Sequence, residues 1–382
     1  MVPMHRFLFV LLGTAILYPQ ARKVSDAEVE RVHKSALLID THNDVTSTTL
    51  RGFDIGEPST KTHTDIARLR QGGVGAQFFA VYVAADYART NQSAHRALEM
   101  IDTVRHDIIA RYPKDFVLAT TADEIEAAHK QGKIAALMGI EGGHAIEDSL
   151  RLLRDFYALG IRYMTLTHTN TNGWADSSAD KPKHNGLSPL GKDVIREMNR
   201  LGMMVDISHV ADKTFWDALE VSQAPLIASH SSCRALADVP RNMTDEMIRG
   251  LAKKGGIIQI NFNCGFLTNA AAKGEAALEK KLGKGDEAAL VKAYASGEIQ
   301  RATLADVVAH IDHAVKIGGV DAVGLGSDFD GVPCTPAGLD DVSKFPSLTR
   351  ALLEKGYTAG DVRKIYGANV LRVMRAVERA RH

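Results

Sequence analysis

Short apolar runs alternate with segments of helical periodicity along most of the chain. The runs are rich in aliphatic and β-branched residues and end in turn or polar residues, which is typical of buried strands. They predict eight strands, over residues 36–40, 75–83, 133–142, 161–168, 202–209, 224–231, 255–262 and 321–331. Apolar residues at helical spacing lie between most of them, often bounded by Ser, Thr or Asp before and Gly after. The predicted helices cover residues 95–112, 149–160, 188–202, 211–222, 244–256 and 303–319.

This alternation predicts a parallel sheet, because parallel strands need long crossover connections that are usually helices. Eight such units in about 300 residues favour an α/β fold of the (β/α)8 TIM-barrel type. The alternative is a doubly wound open sheet, which usually has a Gly-rich phosphate-binding turn after its first strand. The first predicted strand instead ends in the sequence DTHND, at residues 40–44.

Two segments extend this basic pattern. Residues 263–301, after the seventh predicted strand, are rich in Ala, Lys and Glu and predict an inserted segment of one or two exposed helices. Residues 356–382 predict two short helices that pack on the barrel. We see no repeat and no low-complexity linker, so residues 22–382 are expected to form a single (β/α)8 domain.

The first residues of the chain have a different pattern. A short basic start, residues 1–6, precedes twelve mostly apolar residues, 7–18. This resembles a signal peptide and is short for a membrane span, although a buried N-terminal helix is an alternative. We expect residues 1–21 to be a signal peptide and the protein to be exported, to the periplasm or the medium. No Cys follows the apolar run and the C-terminus is not hydrophobic, which argues against a stable membrane anchor.

Charge and cysteine content exclude several classes of protein. Lys plus Arg and Asp plus Glu both number 46 among 382 residues, so neither nucleic acid nor a strongly basic partner is indicated. Cys233, Cys264 and Cys334 contain no C-x-x-C pair, which excludes an exported fold stapled by many disulfides. Three buried thiols are favoured over one bridge with one free thiol.

Imidazoles and carboxylates lie at the ends of most predicted strands. In a TIM barrel these ends meet at one rim, where active sites form. Each residue alone has an ordinary explanation, as a hydrogen-bonded His, a helix-capping Asp or a turn residue. Together, several carboxylates at one rim would raise one another's pKa unless a cation lay among them. The set consists of His42, Asp44, Glu141 with the nearby His144, His168, His209, His230, Asp328 and Asp330.

The donor types indicate a metal centre. Imidazole and carboxylate ligands suit Zn²⁺ and neighbouring transition metals. His42 and Asp44 are two residues apart on a strand, so both side chains can point to the same side. Two metals about 3.5–4 Å apart, bridged by a carboxylate, would use the whole set. The sequence therefore predicts a catalytic centre with two metal ions.

Six ordered motifs and a C-terminal segment resemble the membrane (renal) dipeptidase family. The likeness extends from about residue 34 to residue 375, nearly the whole mature chain. It implies a (β/α)8 barrel with two Zn²⁺ ions that hydrolyses dipeptides to free amino acids through a metal-activated water. The segments are DTHND, GIEGGHAIED, IRYMTLTHTNTNGWADS, MVDISHV, ASHSSCRAL with RNMTDE, VGLGSDFDGV and YGANVLRV.

The resemblance also implies the metal ligands. His42 and Asp44 would bind the first zinc, and Glu141 would bridge both ions. His209 and His230 would bind the second zinc.

The same resemblance implies roles for three further residues. Asp328 would be the general base, and His168 would lie on the substrate side near the oxygen of the tetrahedral intermediate. Arg241 would pair with the terminal carboxylate of the substrate or with the reacting oxygens; without the resemblance it would be an ordinary loop arginine.

The chain differs from the mammalian relatives of this family at two places. Thr169 and Asn170 stand where mammalian relatives have a Cys, and the lipid-anchored C-terminus of those relatives is missing, so we expect a soluble bacterial member. Relatives often pair as dimers, so a homodimer is compatible with the resemblance.

The alternative function is another binuclear amidohydrolase, acting on N-acyl amino acids or β-lactam-like amides. Such barrels often bridge their metals with a modified Lys on strand four, where this chain has His168, which favours the dipeptidase.

Overall fold

A parallel sheet forms the centre of the computed structural model, which describes residues 23–283 and 285–381. Eight strands pair in the order β1-β2-β4-β5-β6-β7-β8-β9, and a parallel bridge between Asn43 and Phe329 brings the last strand beside the first. This almost closed ring confirms the predicted TIM-type barrel. The strands are β1 (Leu38–Asn43), β2 (Val74–Tyr82), β3 (Phe116–Leu118), β4 (Ile134–Glu141), β5 (Ile161–Thr165), β6 (Met204–Asp206), β7 (Ile227–Ser231), β8 (Ile257–Ile260) and β9 (Val323–Leu325).

Each of the eight predicted strands corresponds to a strand of this ring. The short strand β3 was not predicted; it pairs with β4 outside the ring. Successive strand residues face opposite sides, so Phe78 and Phe79 belong to separate buried clusters. Phe79 packs against Phe116 of β3, with ring centroids 5.9 Å apart, whereas Phe78 packs against Tyr163. The side chain of Phe116 therefore lies on the same side of the sheet as Phe79.

Helices connect the strands and cover the ring. Ser188 accepts from the amide of Gly191 at the start of α8, where the sequence predicted a cap. Thr121 forms a capping box with Glu124 at α6, a helix that was not predicted. The helices are α1 (Asp26–Lys34), α2 (Val45–Leu50), α3 (Ile66–Gln71), α4 (Ala85–Thr90), α5 (Ser93–Asp102), α6 (Ala122–Lys130), α7 (Leu150–Ala158), α8 (Pro189–Leu201), α9 (Asp212–Val221), α10 (Asp245–Lys253), α11 (Cys264–Leu267), α12 (Asn269–Leu282), α13 (Glu287–Ser296), α14 (Leu304–Gly318), α15 (Phe345–Lys355), α16 (Ala359–Arg363) and α17 (Asn369–Ala380).

The inserted segment and the C-terminal helices are also confirmed. Helices α11, α12 and α13 follow β8, the seventh strand of the ring, within the range predicted for the insertion. Helices α16 and α17 are the two predicted tail helices, joined by a π-helical turn over Lys364–Ala368. Val373 and Val377 of α17 are buried in the same cluster as Phe78, so this helix packs on the barrel.

The cysteines differ from the prediction. Cys264 and Cys334 form a disulfide with Cα atoms 5.6 Å apart, and Cys233 is a buried free thiol. The prediction of three thiols was therefore wrong. The two bonded residues follow β8 and β9, which are neighbours in the ring although 70 residues separate them in the sequence.

The predicted signal peptide, residues 1–21, lies outside the described residues. Within the part of the chain that the structure describes, no helix is long and apolar enough to cross a bilayer.

Candidate metal centre

Donors from β1 and β4 meet at the carboxyl end of the barrel. Nε2 of His42 lies 3.2 Å from Oδ2 of Asp44 and 3.5 Å from Oε2 of Glu141, and all three side chains are buried. Asp44 precedes α2 but its side chain makes no capping hydrogen bond. Asn43 accepts the amide of Val45 instead. The carboxylate of Asp44 is therefore free to face His42, and its ordinary explanation as a helix cap does not apply.

A second group gathers on the other oxygen of Glu141. Oε1 of Glu141 lies 3.0 Å from Nε2 of His209 and 3.2 Å from Nε2 of His230. The two ring nitrogens are themselves 3.0 Å apart. A tetrahedral zinc ion with bonds of about 2.1 Å holds its ligand atoms about 3.4 Å apart, so this spacing fits a shared cation. Glu141 thus presents one oxygen to each group.

Asp328 joins the cluster from the end of β9. Its carboxylate, His42 and His230 form a further group of donor atoms, all within 4.8 Å of one another. Asn261 donates from Nδ2 to Oδ2 of Asp328 at 2.8 Å, which orients the carboxylate. Asp328 and His209 have φ angles of 63° and 66°, in the left-handed region that non-glycine residues rarely adopt. Such strain is found mostly at functional sites.

Tyr163 determines which nitrogen of His42 faces the cluster. The hydroxyl of Tyr163 lies 3.0 Å from the carbonyl oxygen of Thr41 and 2.8 Å from Nδ1 of His42. A carbonyl only accepts, so the single proton of the hydroxyl is donated to Thr41. Nδ1–H of His42 must then donate to Tyr163. The neutral ring consequently keeps a bare Nε2, which has no hydrogen-bond partner among the described residues.

His230 is held in the same tautomer by a different set of groups. The hydroxyl of Ser229 donates to Oδ2 of Asp206 at 2.6 Å and lies 2.7 Å from Nδ1 of His230. Because its one proton is used for Asp206, the hydroxyl accepts from Nδ1–H of His230. Nε2 is again left bare toward Glu141. Such outer hydrogen bonds are typical of metal-binding histidines.

Burial and mutual charge set the protonation of the cluster. Burial holds the pKa values of His209 and His230 well below the ordinary range, so both rings are neutral at pH 7, the form that binds metals. Burial opposes charge on His42, but Tyr163, Glu141 and Asp44 raise its pKa well above the usual value. The negative charges that favour a second proton on His42, at Nε2, would equally favour a divalent cation at that nitrogen.

The carboxylates respond to the same environment in opposite directions. Burial favours a proton on Glu141, but His42, His168 and the hydrogen bonds from His209 and His230 hold its pKa well below the usual range. Burial raises the pKa of Asp328 to about 8; His42 opposes the rise, and the neighbouring carboxylates add to it. The two carboxylates therefore differ, since Glu141 is held as an anion whereas burial favours a proton on Asp328.

His168 and Arg241 lie beside this cluster. Nε2 of His168 is 3.8 Å from Oε1 of Glu141, and its ring packs edge-on against Tyr82. The guanidinium of Arg241 donates from Nη1 to Oγ of Ser231 at 2.7 Å and from Nη2 to the carbonyl oxygen of His230 at 2.5 Å. Its Nε is buried with no partner in the described chain, so this donor at least remains for a ligand.

Two residues at the predicted rim are directed elsewhere. Asp330 accepts the amide of His63 at 2.6 Å, and its own amide lies 3.0 Å from Nδ1 of His63. His144 is buried after β4 but is not a member of the three donor groups found among the described residues. The structure therefore brings together His42, Asp44, Glu141, His209, His230 and Asp328, with His168 and Arg241 adjoining.

Sequence analysis missed the residues that orient this set: Tyr163, Asp206, Ser229 and Asn261. They look like ordinary strand residues. The one signal was position, because Tyr163 and Asp206 lie on the strands that lead to His168 and His209. Gly331 was missed as well: a Cβ there would collide with the carboxylates of Asp44 and Asp328.

Comparisons with known proteins agree with this geometry. The sequence model described as Membrane dipeptidase (Peptidase family M19) matches residues 26–382. An uncharacterized dipeptidase of Schizosaccharomyces pombe is 36% identical over 381 residues, covering 94% of this chain and 85% of that protein. Dipeptidase tcpJ of Claviceps purpurea is 41% identical over 324 residues, 83% of this chain and 69% of that one.

A solved structure is similar along its whole length. The metallopeptidase of Rhodobacter sphaeroides, crystallised with a phosphinate mimic of the dipeptide L-Ala-D-Ala, superimposes with a TM-score of 0.76. The two sequences are 26% identical, and the match covers 90% of this chain and 99% of that chain.

Proposed function

From the premise that this chain belongs to the membrane dipeptidase family, we propose that its metal centre consists of two zinc ions held by five side chains. The protein is a metal-dependent dipeptidase. His42 and Asp44 would hold one ion, His209 and His230 the other, and Glu141 would bridge them. The observation that carries this proposal is the placement of the Glu141 carboxylate. Its Oε2 faces Nε2 of His42, and its Oε1 faces Nε2 of both His209 and His230.

The bound zinc ions would supply Lewis acidity and a water of lowered pKa, close to 7 in comparable sites. Asp328 takes the proton of the attacking water and passes it to the leaving amine. Asn261 donates to Oδ2 of Asp328, which orients the carboxylate for this transfer. His168 lies within 4 Å of the bridging carboxylate and stabilises the oxygen of the tetrahedral intermediate.

Arg241 binds the terminal carboxylate of the dipeptide. Two of its nitrogens are anchored to Ser231 and to the backbone of His230, which fixes the guanidinium beside the cluster. Burial lowers the pKa of Arg241 to about 10, so the side chain remains cationic at neutral pH. A fixed buried cation with a free donor selects a carboxylate at a set distance from the scissile bond.

The Asp328→Asn variant tests the assignment of the base. Because Asn cannot accept the proton, we expect two zinc ions per chain to be retained while kcat for a dipeptide such as L-Ala-L-Leu falls about 10²- to 10⁴-fold. Metal content is measured by elemental analysis and turnover by release of free amino acids. The matched control is Asp107→Asn, which makes the same substitution at an exposed position far from the cluster in sequence. Retained zinc with near-normal turnover would rule out the base.

The stereochemistry of the substrate is a further part of the proposal. The Rhodobacter sphaeroides relative was crystallised with a mimic of L-Ala-D-Ala. We infer that this chain also accepts a D-residue at the C-terminal position, which a panel of L,L and L,D dipeptides would measure.

We also propose that the protein is exported. The disulfide between Cys264 and Cys334 supports this, because disulfides persist mainly in oxidising compartments outside the cytoplasm.

A further inference from the structure

A cavity adjoins the metal centre on the side of the inserted helices. Its volume is about 390 Å³, within the range of small-molecule pockets. His209 and Arg241 are among its lining residues, and α12 forms part of its wall. Arg241, whose buried Nε has no hydrogen-bond partner in the described chain, is one of the residues that line the cavity. The cavity therefore lies between residues of the metal centre and the segment inserted after β8.

The cavity is lined by apolar groups and has carboxylates on α12. The side chains of Phe266, Ala272 and Ala276 supply apolar surface, and Glu275 and Glu279 lie on the same wall. A cavity with apolar walls and carboxylates suits a side chain with a long aliphatic stem and a cationic head, since the stem is buried while the head reaches an anion.

Glu275 is built into this wall. Tyr294 of α13 donates from its hydroxyl to Oε1 of Glu275 at 2.6 Å. The carboxylate also lies against the backbone of Gly265, where a Cβ would collide with it. No Lys, Arg or His within residues 23–283 and 285–381 forms an ion pair with Glu275, although it is partly buried. The carboxylate is therefore fixed in position and lacks a cation of its own.

The raised pKa of Glu275 is consistent with a carboxylate that is partly buried and has no cationic partner among the described residues. Burial raises its pKa to about 7; the hydrogen bond from Tyr294 opposes the rise and Glu279 adds to it. An ammonium or guanidinium group brought into the cavity would supply the missing positive charge, and a charge-assisted hydrogen bond would form.

We propose that this cavity is the subsite for the C-terminal side chain of the dipeptide and that Glu275 makes it selective for Lys and Arg. The proposal rests on the proposed function, because Arg241, which binds the terminal carboxylate there, lines the same cavity. The side chain next to that carboxylate enters the cavity, and its cationic end meets Glu275.

The experiment compares L-Ala-L-Lys with L-Ala-L-norleucine, which has a similar stem and no ammonium group. In the zinc-loaded wild-type enzyme we expect a higher kcat/KM for the lysyl peptide. In Glu275→Gln the ratio of the two kcat/KM values falls roughly 10- to 100-fold, as expected for the loss of a charged hydrogen bond. Glu275→Lys should reverse the preference, toward L-Ala-L-Glu.

A matched control and a binding measurement complete the test. Glu298→Gln makes the same substitution at an exposed position near the end of the insertion and should leave the ratio unchanged. Calorimetry on the zinc-loaded Asp328→Asn protein, with and without Glu275→Gln, measures the binding of both peptides without turnover.

The outcomes separate the two proposals. Equal ratios in wild type and Glu275→Gln, or equal binding of both peptides, would overturn the cationic subsite. Preferential binding of the lysyl peptide that depends on Glu275 supports the subsite even if the wild-type enzyme hydrolysed neither peptide. That lack of hydrolysis would count against the proposed function alone.

Discussion

At the scale of residues, the metal centre depends on which ring nitrogen each histidine exposes. The donors themselves are His and carboxylate residues, which any inspection of the sequence notices. Their orientation depends on two hydroxyls, those of Tyr163 and Ser229, that are each committed to donating elsewhere. Both hydroxyls are therefore obliged to accept from Nδ1, and Nε2 is left for a metal. A strand tyrosine and a serine thus determine the chemistry of their histidine neighbours.

Replacing Tyr163 by Phe removes the acceptor for Nδ1–H of His42. The ring is then free to rotate or change tautomer, so we expect zinc affinity to fall about 10- to 100-fold. Zinc affinity is measured by competition with a chelator, in which the release of zinc is monitored. Tyr366→Phe is the control, because Tyr366 is equally buried but its hydroxyl bonds to Thr349. Equal zinc affinity in Tyr163→Phe and Tyr366→Phe would contradict the role given to Tyr163.

At the scale of elements, the insertion after β8 supplies part of the wall of the cavity beside the metal centre. Helices α12 and α13 contribute Glu275 and Tyr294, which are joined by a hydrogen bond. Helix α12 is mostly exposed on its other sides, as its Ala, Lys and Glu composition predicted. Glu275 is a partly buried acid on this otherwise mostly exposed helix, which is the position that the proposed cationic subsite requires.

The titration of Glu275 should make the stability of the protein depend on pH. The pKa of Glu275 is raised in the folded state from about 4.5 to about 7, so the folded chain holds this proton more tightly than the unfolded chain. Its stabilising contribution is complete below about pH 4.5 and is lost as the pH rises through 7. Gln has no such proton. We therefore expect the Tm of Glu275→Gln, relative to wild type, to increase between pH 5 and pH 8.

Thermal unfolding at several pH values checks this expectation, with Glu298→Gln as the control. The wild type and both variants share the titration of the metal centre, so the difference between their Tm values isolates Glu275. A difference that stays constant with pH would mean that Glu275 titrates normally.

At the scale of the whole molecule, closure of the ring brings distant residues together. The bridge between Asn43 and Phe329 places the end of β9 beside β1, so that Asp328 reaches His42. The neighbouring strands β8 and β9 also place Cys264 and Cys334 at bonding distance. The disulfide therefore links the start of the inserted segment to the loop that carries Asp328.

Removing this bridge should weaken the fold. The double variant Cys264→Ser, Cys334→Ser loses a link that closes a loop of about 70 residues, and we expect its free energy of unfolding to fall by about 2–4 kcal/mol. Denaturant unfolding measures the loss, and Cys233→Ala serves as the control without a bridge. Titration of the protein from its native source, unfolded without reductant, should find one free thiol. Three thiols would contradict both the bridge and the proposal of export.

The sequence alone was sufficient for the barrel, its insertion and the donors at its rim, because these follow from local periodicity and from motifs a few residues long. His42, Glu141, His209 and His230 were identifiable for this reason. The tertiary structure was needed for the roles of Tyr163 and Ser229, the pairing of Asp330 with His63, the disulfide, and the cavity at Glu275. Each of these depends on distances between residues far apart in the chain, and such distances exist only once the ring has closed.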